Sequence, residues 1–234
     1  MELHHCLGHI AVNSTHKLVT SGTIVGVKLD LSTLEANCNA CIFAHTTCLP
    51  IPKVRISLPA QNFGDKVHTD VWGPSATATH QGRRYFATFT DNATRYTITY
   101  LLCNKDKAFV AYKSFELWAI MQQHCKGIKV LLSDQGGEYL SEAFNQHLAQ
   151  AGTARKLMVH DTPQLNGIAE HLNRILLECI CTFTHMSSLP KSLWGKALRH
   201  ATWLKNRTAT WALNGKTPFK ALYSQPPDLS ALHV

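Results

Sequence analysis

The sequence predicts a mixed α/β domain preceded by a small helical head built on histidine and cysteine. Three observations predict it. Aromatic and β-branched runs come first, at 63–72, 84–91 and 96–102. Helix-period and strand-period segments then alternate, the pattern of a sheet flanked by helices. Ahead of both lie three histidines and a Cys-x-x-Cys pair within a stretch too short to bury much core.

Each element has its own local reason. The runs at 63–72, 84–91 and 96–102 are rich in residues that suit a pleated, half-buried surface. Asp91-Asn92 between the second and third suits a tight turn, and Asp91 is expected to order it. Residues 105–123 read as a helix, with Phe109, Tyr112, Phe115 and Ala119 on one stripe. A fourth strand is expected at 128–133, a helix at 141–151 that Ser141 could cap, and a fifth strand at 154–159. Residues 161–167 are expected to be a loop. A long helix follows from about 169 to 186, with Leu172, Ile175, Leu176, Cys179 and Phe183 at helical spacing. A last helix is expected from about Pro190, a natural first-turn proline, to Asn206. This order, three strands, then helix, strand, helix, strand and trailing helices, is the ribonuclease H-like architecture.

Composition narrows the function. The 234 residues are 45% hydrophobic, enough for one medium domain and an appendage. No run of 18 apolar residues occurs, and no basic segment followed by an apolar stretch opens the chain, so neither a membrane span nor a secretory signal is predicted. Eight cysteines in that setting read as reduced thiols. The formal charge is +8, unevenly spread: no Asp or Glu occurs from Cys179 to Pro227, where Lys191, Lys196, Arg199, Lys205, Arg207, Lys216 and Lys220 lie. Such a region suits a polyanion such as nucleic acid phosphate, or else is a solvated basic helix face.

Three acids stand in settings that point to chemistry. Asp70 falls inside the first strand run, Asp134 ends the fourth just before Gly136-Gly137, and Glu170 enters the long helix. Two strand carboxylates and one helix carboxylate can converge on divalent cations, which prefer oxygen ligands and promote displacement at phosphorus. Glu138, close to Asp134, is assigned to the turn.

The residues around these acids resemble retroelement integrases, and those of copia-type retrotransposons most of all. The matching stretches are His68-Thr-Asp-Val-Trp-Gly-Pro74, Tyr85-Phe-Ala-Thr-Phe-Thr-Asp-Asn-Ala-Thr-Arg-Tyr96, Leu132-Ser-Asp-Gln-Gly-Gly-Glu-Tyr139 and Thr162-Pro-Gln-Leu-Asn-Gly-Ile-Ala-Glu-His-Leu-Asn-Arg174. Leu189-Pro-Lys-Ser-Leu-Trp194, Asn206-Arg207 and Thr217-Pro218 also match. The resemblance implies that Asp70, Asp134 and Glu170 are a D,D-35-E catalytic triad holding two Mg²⁺ or Mn²⁺ ions. It implies 3′-end processing of element DNA and strand transfer into target DNA. Gln164, Asn166 and Arg174, with Lys156, are the candidate nucleic-acid contacts. Arg174 either pairs with Glu170 one turn away or meets phosphate, and phosphate is the reading adopted. His171 and Leu132 stand where the family often has arginine.

The head fits the same resemblance. His4, His5 and His9, followed by Cys38-Asn-Ala-Cys41, suit tetrahedral structural zinc. Helical i, i+4 spacing would select His5 with His9; alignment of Leu7-Gly8-His9 with the family's HHCC module selects His4, giving His4, His9, Cys38 and Cys41. The expected organisation is a zinc module over 1–52, a linker over 53–61 and a catalytic core with trailing basic helices over 62–228. The partners implied are element-end DNA and target DNA, with RNA as a further nucleic acid, and further copies of the chain in a homo-oligomer. The implied place of action is the nucleus. Ending at Leu232-His-Val234 without the family's reverse-transcriptase region, the chain reads as a fragment, excised domain or truncated copy. Two rival readings are a ribonuclease H and a catalytically silent nucleic-acid-binding remnant.

Overall fold

A computed structural model of the chain describes residues 2–27, 38, 41, 60–123, 125–134, 136–157 and 163–230. Side chains at 2, 12, 123 and 163–167 lie outside that description, as does the expected linker up to Pro59.

Five strands make one sheet: β1 (Val67–Trp72), β2 (Tyr85–Asp91), β3 (Thr97–Leu102), β4 (Val130–Ser133) and β5 (Ala154–Leu157). Their spatial order is β3-β2-β1-β4-β5. The first three form an antiparallel meander, and β4 and β5 add in parallel on the other side of β1. Parallel neighbours need long crossovers. Helix α3 (Ala108–Gln123) lies on the route into β4, and α4 (Glu142–Ala151) joins β4 to β5. Then come α5 (Pro163–Met186), α6 (Trp194–Arg207) and α7 (Pro218–Tyr223), while α1 (Glu2–Cys6) and α2 (Val12–Thr20) form the head.

The period of two along β1 divides the molecule into layers. Val67 and Val71 enter one core with Phe89, Tyr112, Phe115 and Phe144, under α3 and α4. Trp72 faces the opposite side, where Phe86, Leu172, Leu176, Trp194 and Leu198 pack under α5 and α6. Asp70, two residues before Trp72, shares that second face, and so points toward α5.

Local chemistry sets the boundaries. Ser141 caps α4, its Oγ accepting from the Phe144 N–H at 3.4 Å, and Gly152 closes the helix at φ 69°. Asp91 is fully buried and orders the β2–β3 turn: its carboxylate accepts from the N–H of Thr94 (2.7 Å), the hydroxyl of Thr94 (2.8 Å) and the N–H of Gly64 (3.0 Å). Burial pushes its pKa up, and these hydrogen bonds oppose the shift.

The sequence expectation needs correction at α5, which begins at Pro163 rather than near 169. Residues 163–167 of the stretch read as a loop are the helix's first turn, 161–162 lying outside the described residues: proline suits that position because no intrahelical N–H is needed there. The last expected helix opens with a 3₁₀ turn, Lys191–Leu193, before α6. The head is helical as expected, in α1 and α2, whereas α7 was not expected; its six residues are too few for apolar periodicity to reveal.

The head shares its core with the C-terminal helices. Leu3, Leu7, Leu18 and Ile24 pack against Leu204 and Leu229, with Phe183 and Trp203 at the edge. Gly8 permits the close approach. Its φ is +74°, and a Cβ there would lie 3.4 Å from both Leu204 and Phe183.

The basic C-terminal stretch is only partly available to a polyanion. Lys205 donates to the Thr97 hydroxyl at 2.7 Å and to the Arg95 carbonyl; burial, then the charge of Arg95, lowers its pKa to about 7. The Arg207 guanidinium lies 4.0 Å from the Trp203 ring centroid and 4.8 Å from that of Phe219. Lys191, Lys196, Arg199 and Lys216 remain exposed.

Asn206 fastens α6 to β3. Its Oδ1 accepts from the Thr97 N–H at 2.9 Å and its Nδ2 donates to the Thr97 carbonyl at 2.7 Å, all buried. Truncation strands both backbone groups, so Asn206→Ala should destabilise the fold by roughly 2–4 kcal/mol in urea denaturation; a loss under 0.5 kcal/mol would contradict this account.

Candidate functional site

The pairing of β1 with β4 brings two of the three acids together. Val67 registers with Leu131 and His68 with Leu132 in parallel, so Asp70 and Asp134 are the next-but-one residues along each strand. Asp134 lies just past the end of β4, with its Oδ1 accepting from the Gly136 N–H at 3.1 Å. Glu170 approaches from α5, exposed at the mouth of a groove that Asp70 lines from below.

Electrostatics mark the convergence. Desolvation raises the Asp70 pKa to about 6, and the neighbouring charges of Asp134 and Glu170 push the same way. The Val71 N–H and Asn173 oppose the shift by donating to the carboxylate. The Asn173 Nδ2–Asp70 Oδ2 distance is 2.7 Å, and Asn173 is 5% exposed. Behind Asp70, the Thr69 hydroxyl meets the hydroxyl of the fully buried Tyr139 at 3.0 Å. A cluster of hard oxygen donors, one held against its preferred charge state, is suited to divalent cations.

The groove encloses about 600 Å³ and runs along α5 from the acids, past Asn173, Arg174 and Leu177, to Glu178 and Cys181. The groove therefore gathers Asp70, Glu170 and Arg174, with Asp134 near enough to Asp70 to act on its charge. The Arg174 Nη2 lies 2.7 Å from His171 Nδ1. Lys156 is exposed on the edge strand β5, opposite Leu132, and does not line the groove. Gln164 and Asn166 belong to the first turn of α5, their side chains outside the described residues. Glu138 sits in a 3₁₀ turn with Lys105 at 3.8 Å, in keeping with a turn role. Sequence reasoning missed Asn173 and Trp72 as groove residues. Asn173 was discoverable, standing three residues after Glu170, on the neighbouring position of a helix face.

The head brings a second set of donors together. Ligand atoms of His4, His5, His9 and Cys38 lie within 4.8 Å of one another. Cys41 Sγ lies 3.4 Å from both His4 Nε2 and His9 Nδ1, and Cys38 Sγ is 3.1 Å from His9 Nδ1 and 3.6 Å from His5 Nε2. Tetrahedral zinc with ordinary bond lengths places sulfur and nitrogen ligands about 3.6 Å apart, so the spacing fits a group that could bind zinc. Five donors compete for four positions. His4 has the ring best prepared: its Nδ1 lies 2.7 Å from the Ile10 carbonyl, which leaves Nε2 toward the sulfurs. Burial, then His4 and His5, lower His9 to about 4, which keeps it a neutral donor. Burial and Cys38 raise the Cys41 thiol to about 11, a direction that a bound cation reverses.

The raised pKa has a thermal consequence. Between pH 3.8 and about 6 the folded chain holds a proton on Asp70 that the unfolded chain releases, so stability falls as pH rises through that window, by at most roughly 3 kcal/mol. Without divalent cations at pH 7, Asp70→Asn should therefore raise the melting temperature by several degrees. The gain should vanish at pH 4 and shrink when Mg²⁺ is added. An unchanged or lower melting temperature at pH 7 would refute the strain assigned to Asp70.

The comparisons with known proteins agree with this geometry. Residues 61–163 match the family model described as integrase core domain. The whole chain is similar to the retrovirus-related Pol polyprotein from transposon TNT 1-94 of Nicotiana tabacum, 31% identical over 99% of this chain and 17% of that polyprotein. It is similar also to those from transposons RE2 and RE1 of Arabidopsis thaliana, each 28% identical over 99% of this chain and 15% of theirs. The chain thus spans less than a fifth of the length of these relatives. Among solved structures, the HTLV-2 integrase catalytic core domain shares the fold at 16% identity and a TM-score of 0.51, covering 68% of this chain and 96% of that one. On sequence and fold together, the chain carries an integrase core domain of the kind found in transposon Pol polyproteins.

Proposed function

We propose that this chain is the integrase segment of a retrotransposon polyprotein, cutting element DNA near its 3′ ends and joining those ends to target DNA. The observation that carries this reading is that Asp70 and Glu170 line one groove, with Asp134 close enough to Asp70 to act on its charge, in a chain that matches the integrase core domain. In the first reaction a water oxygen attacks phosphorus and a 3′-oxygen leaves. In the second, that 3′-hydroxyl oxygen attacks a target phosphorus and displaces the target strand's own 3′-oxygen, so one phosphodiester replaces another.

Asp70, Asp134 and Glu170 would hold the divalent cations; the related HTLV-2 core domain was solved with magnesium. Such cations supply Lewis acidity at the attacking and leaving oxygens. Asn173 keeps the Asp70 carboxylate turned toward the cluster by its 2.7 Å hydrogen bond. Arg174, one turn beyond Glu170 on the groove wall, offers charge to the phosphate. Gln164, Asn166 and Lys156 remain candidate DNA contacts. In the head, His4, His9, Cys38 and Cys41 would hold one structural zinc over 1–52, ahead of a linker over 53–61 and the core over 62–228. The HTLV-2 core domain's trimeric form supports self-association, and joining two DNA ends to one target calls for it. Work on chromosomal DNA would place the chain in the nucleus.

The test is incubation of the full chain with Mg²⁺, a labelled element-end duplex and target DNA, with an RNA–DNA hybrid in parallel. Joined products are expected, and Asp70→Asn should lose them by at least 100-fold while keeping duplex affinity within about threefold. Loss of RNA from the hybrid would instead mark a ribonuclease H, and retardation without reaction a silent binder. Removal of zinc by chelation, or the double change Cys38→Ser with Cys41→Ser, should lower bound zinc from one equivalent to none; one retained equivalent would remove these ligands from the proposal.

A further inference from the structure

The groove beside the carboxylates is mostly apolar, and its apolar lining has a chemistry of its own. Trp72 stands two residues past Asp70 on β1 and so lies on the same face of the sheet, within the groove wall. One face of its ring is covered by Phe86, stacked at 5.3 Å, and Trp194 abuts it at 6.2 Å in an edge-on arrangement. The ring is nonetheless only half-buried. Trp194 satisfies its own indole N–H with the Thr77 carbonyl at 2.8 Å. The Trp72 N–H meets no acceptor among the described residues and is not sealed from solvent. An aromatic side chain with an unused donor, held rigidly by two other rings, is an unusual thing to leave beside a carboxylate cluster. Leu177, also half-buried and one turn beyond Arg174 on α5, lines the same groove.

We infer that this part of the groove is a seat for one unpaired nucleotide of the DNA end, its base laid against Trp72 and Leu177. The inference rests on the integrase reading and deepens it. The volume of about 600 Å³ accommodates a nucleotide, which a groove meant only for cations would not need. The groove's few charged side chains and its larger apolar lining match the two parts of the ligand. Phosphate lies toward Arg174 and the acids, and the base toward the indole, whose flat face accepts any base by stacking and whose N–H finds an acceptor on the base or sugar. A base held there is necessarily out of the duplex. Fraying of the terminal pair is thereby coupled to placing the adjoining phosphodiester at Asp70 and Glu170. Trp72 is a positioning residue in this scheme, acting on the substrate's geometry rather than on the reacting atoms.

The test uses the full chain and fluorescence anisotropy with two labelled duplexes of about 20 base pairs. One carries two unpaired nucleotides at its end and the other carries abasic sites at the same two positions. Wild type should bind the first roughly 5- to 100-fold more tightly. Trp72→Leu should erase that preference while leaving affinity for the abasic duplex within about twofold, and Trp72→Phe should keep most of it. No preference in the wild type overturns the inference without any substitution. So does a Trp72→Leu protein that weakens on both duplexes equally, or a Trp72→Phe protein that behaves as the leucine variant does. The integrase reading is read separately, from joined products formed by the wild type. Joining without the overhang preference defeats only the nucleotide seat, and preference without joining defeats only the reaction.

Discussion

Crowding three carboxylates at a partly desolvated point is electrostatically unfavourable, and much of the core exists to enforce it. Asp70 feels the penalty most, because it combines burial with two like charges. Nothing local to β1 would hold it there. The parallel pairing of β1 with β4 fixes Asp134 alongside, and the packing of Leu172 and Leu176 against Phe86 fixes the face of α5 from which Glu170 projects. Asn173 then pins one carboxylate oxygen, while Tyr139 and Thr69 fill the space behind it. Such an arrangement trades stability for chemistry, as functional sites commonly do.

Much of this was legible in the sequence, for physical reasons that can be named. The strands of the meander announce themselves because β-branched and aromatic residues are concentrated there, and Asp91 reads as a turn residue because a short acidic side chain can accept from the backbone just beyond it. Ser141 reads as a cap for a similar reason. The three acids stood out through their settings. Other features depend on what the chain meets after folding. Lys205 and Arg207 look from sequence like two more surface cations; one is buried against the Arg95 carbonyl and the Thr97 hydroxyl and the other lies against two aromatic rings. The first turn of α5 reads as a loop, since proline, asparagine and glycine are also the residues of turns. Trp72 looks like core, and only its place in the groove lining says otherwise.

The head illustrates the same limit differently. Its donors are evident by residue type, yet three histidines within six positions leave the ligand choice open to sequence. Backbone chemistry separates them: the carbonyl of Ile10 orients one ring of the three at 2.7 Å. Sequence spacing cannot reveal such a contact, because it depends on how the chain turns after Gly8.

Helix α5 runs from the acids to the head without a break. Glu170 stands near one end; at the other, the Cys179 thiol lies 3.6 Å from the Gly8 carbonyl, and Phe183 packs into the head's own core. Nine residues of α-helix span about 14 Å and scarcely compress or twist. A carboxylate on such a rod takes its height and its azimuth from both grips, Leu172 and Leu176 on Phe86 close by and the head at the far end. The head is thus the anvil against which the carboxylate site keeps its alignment, and a loosened head would be felt first as a misaimed Glu170.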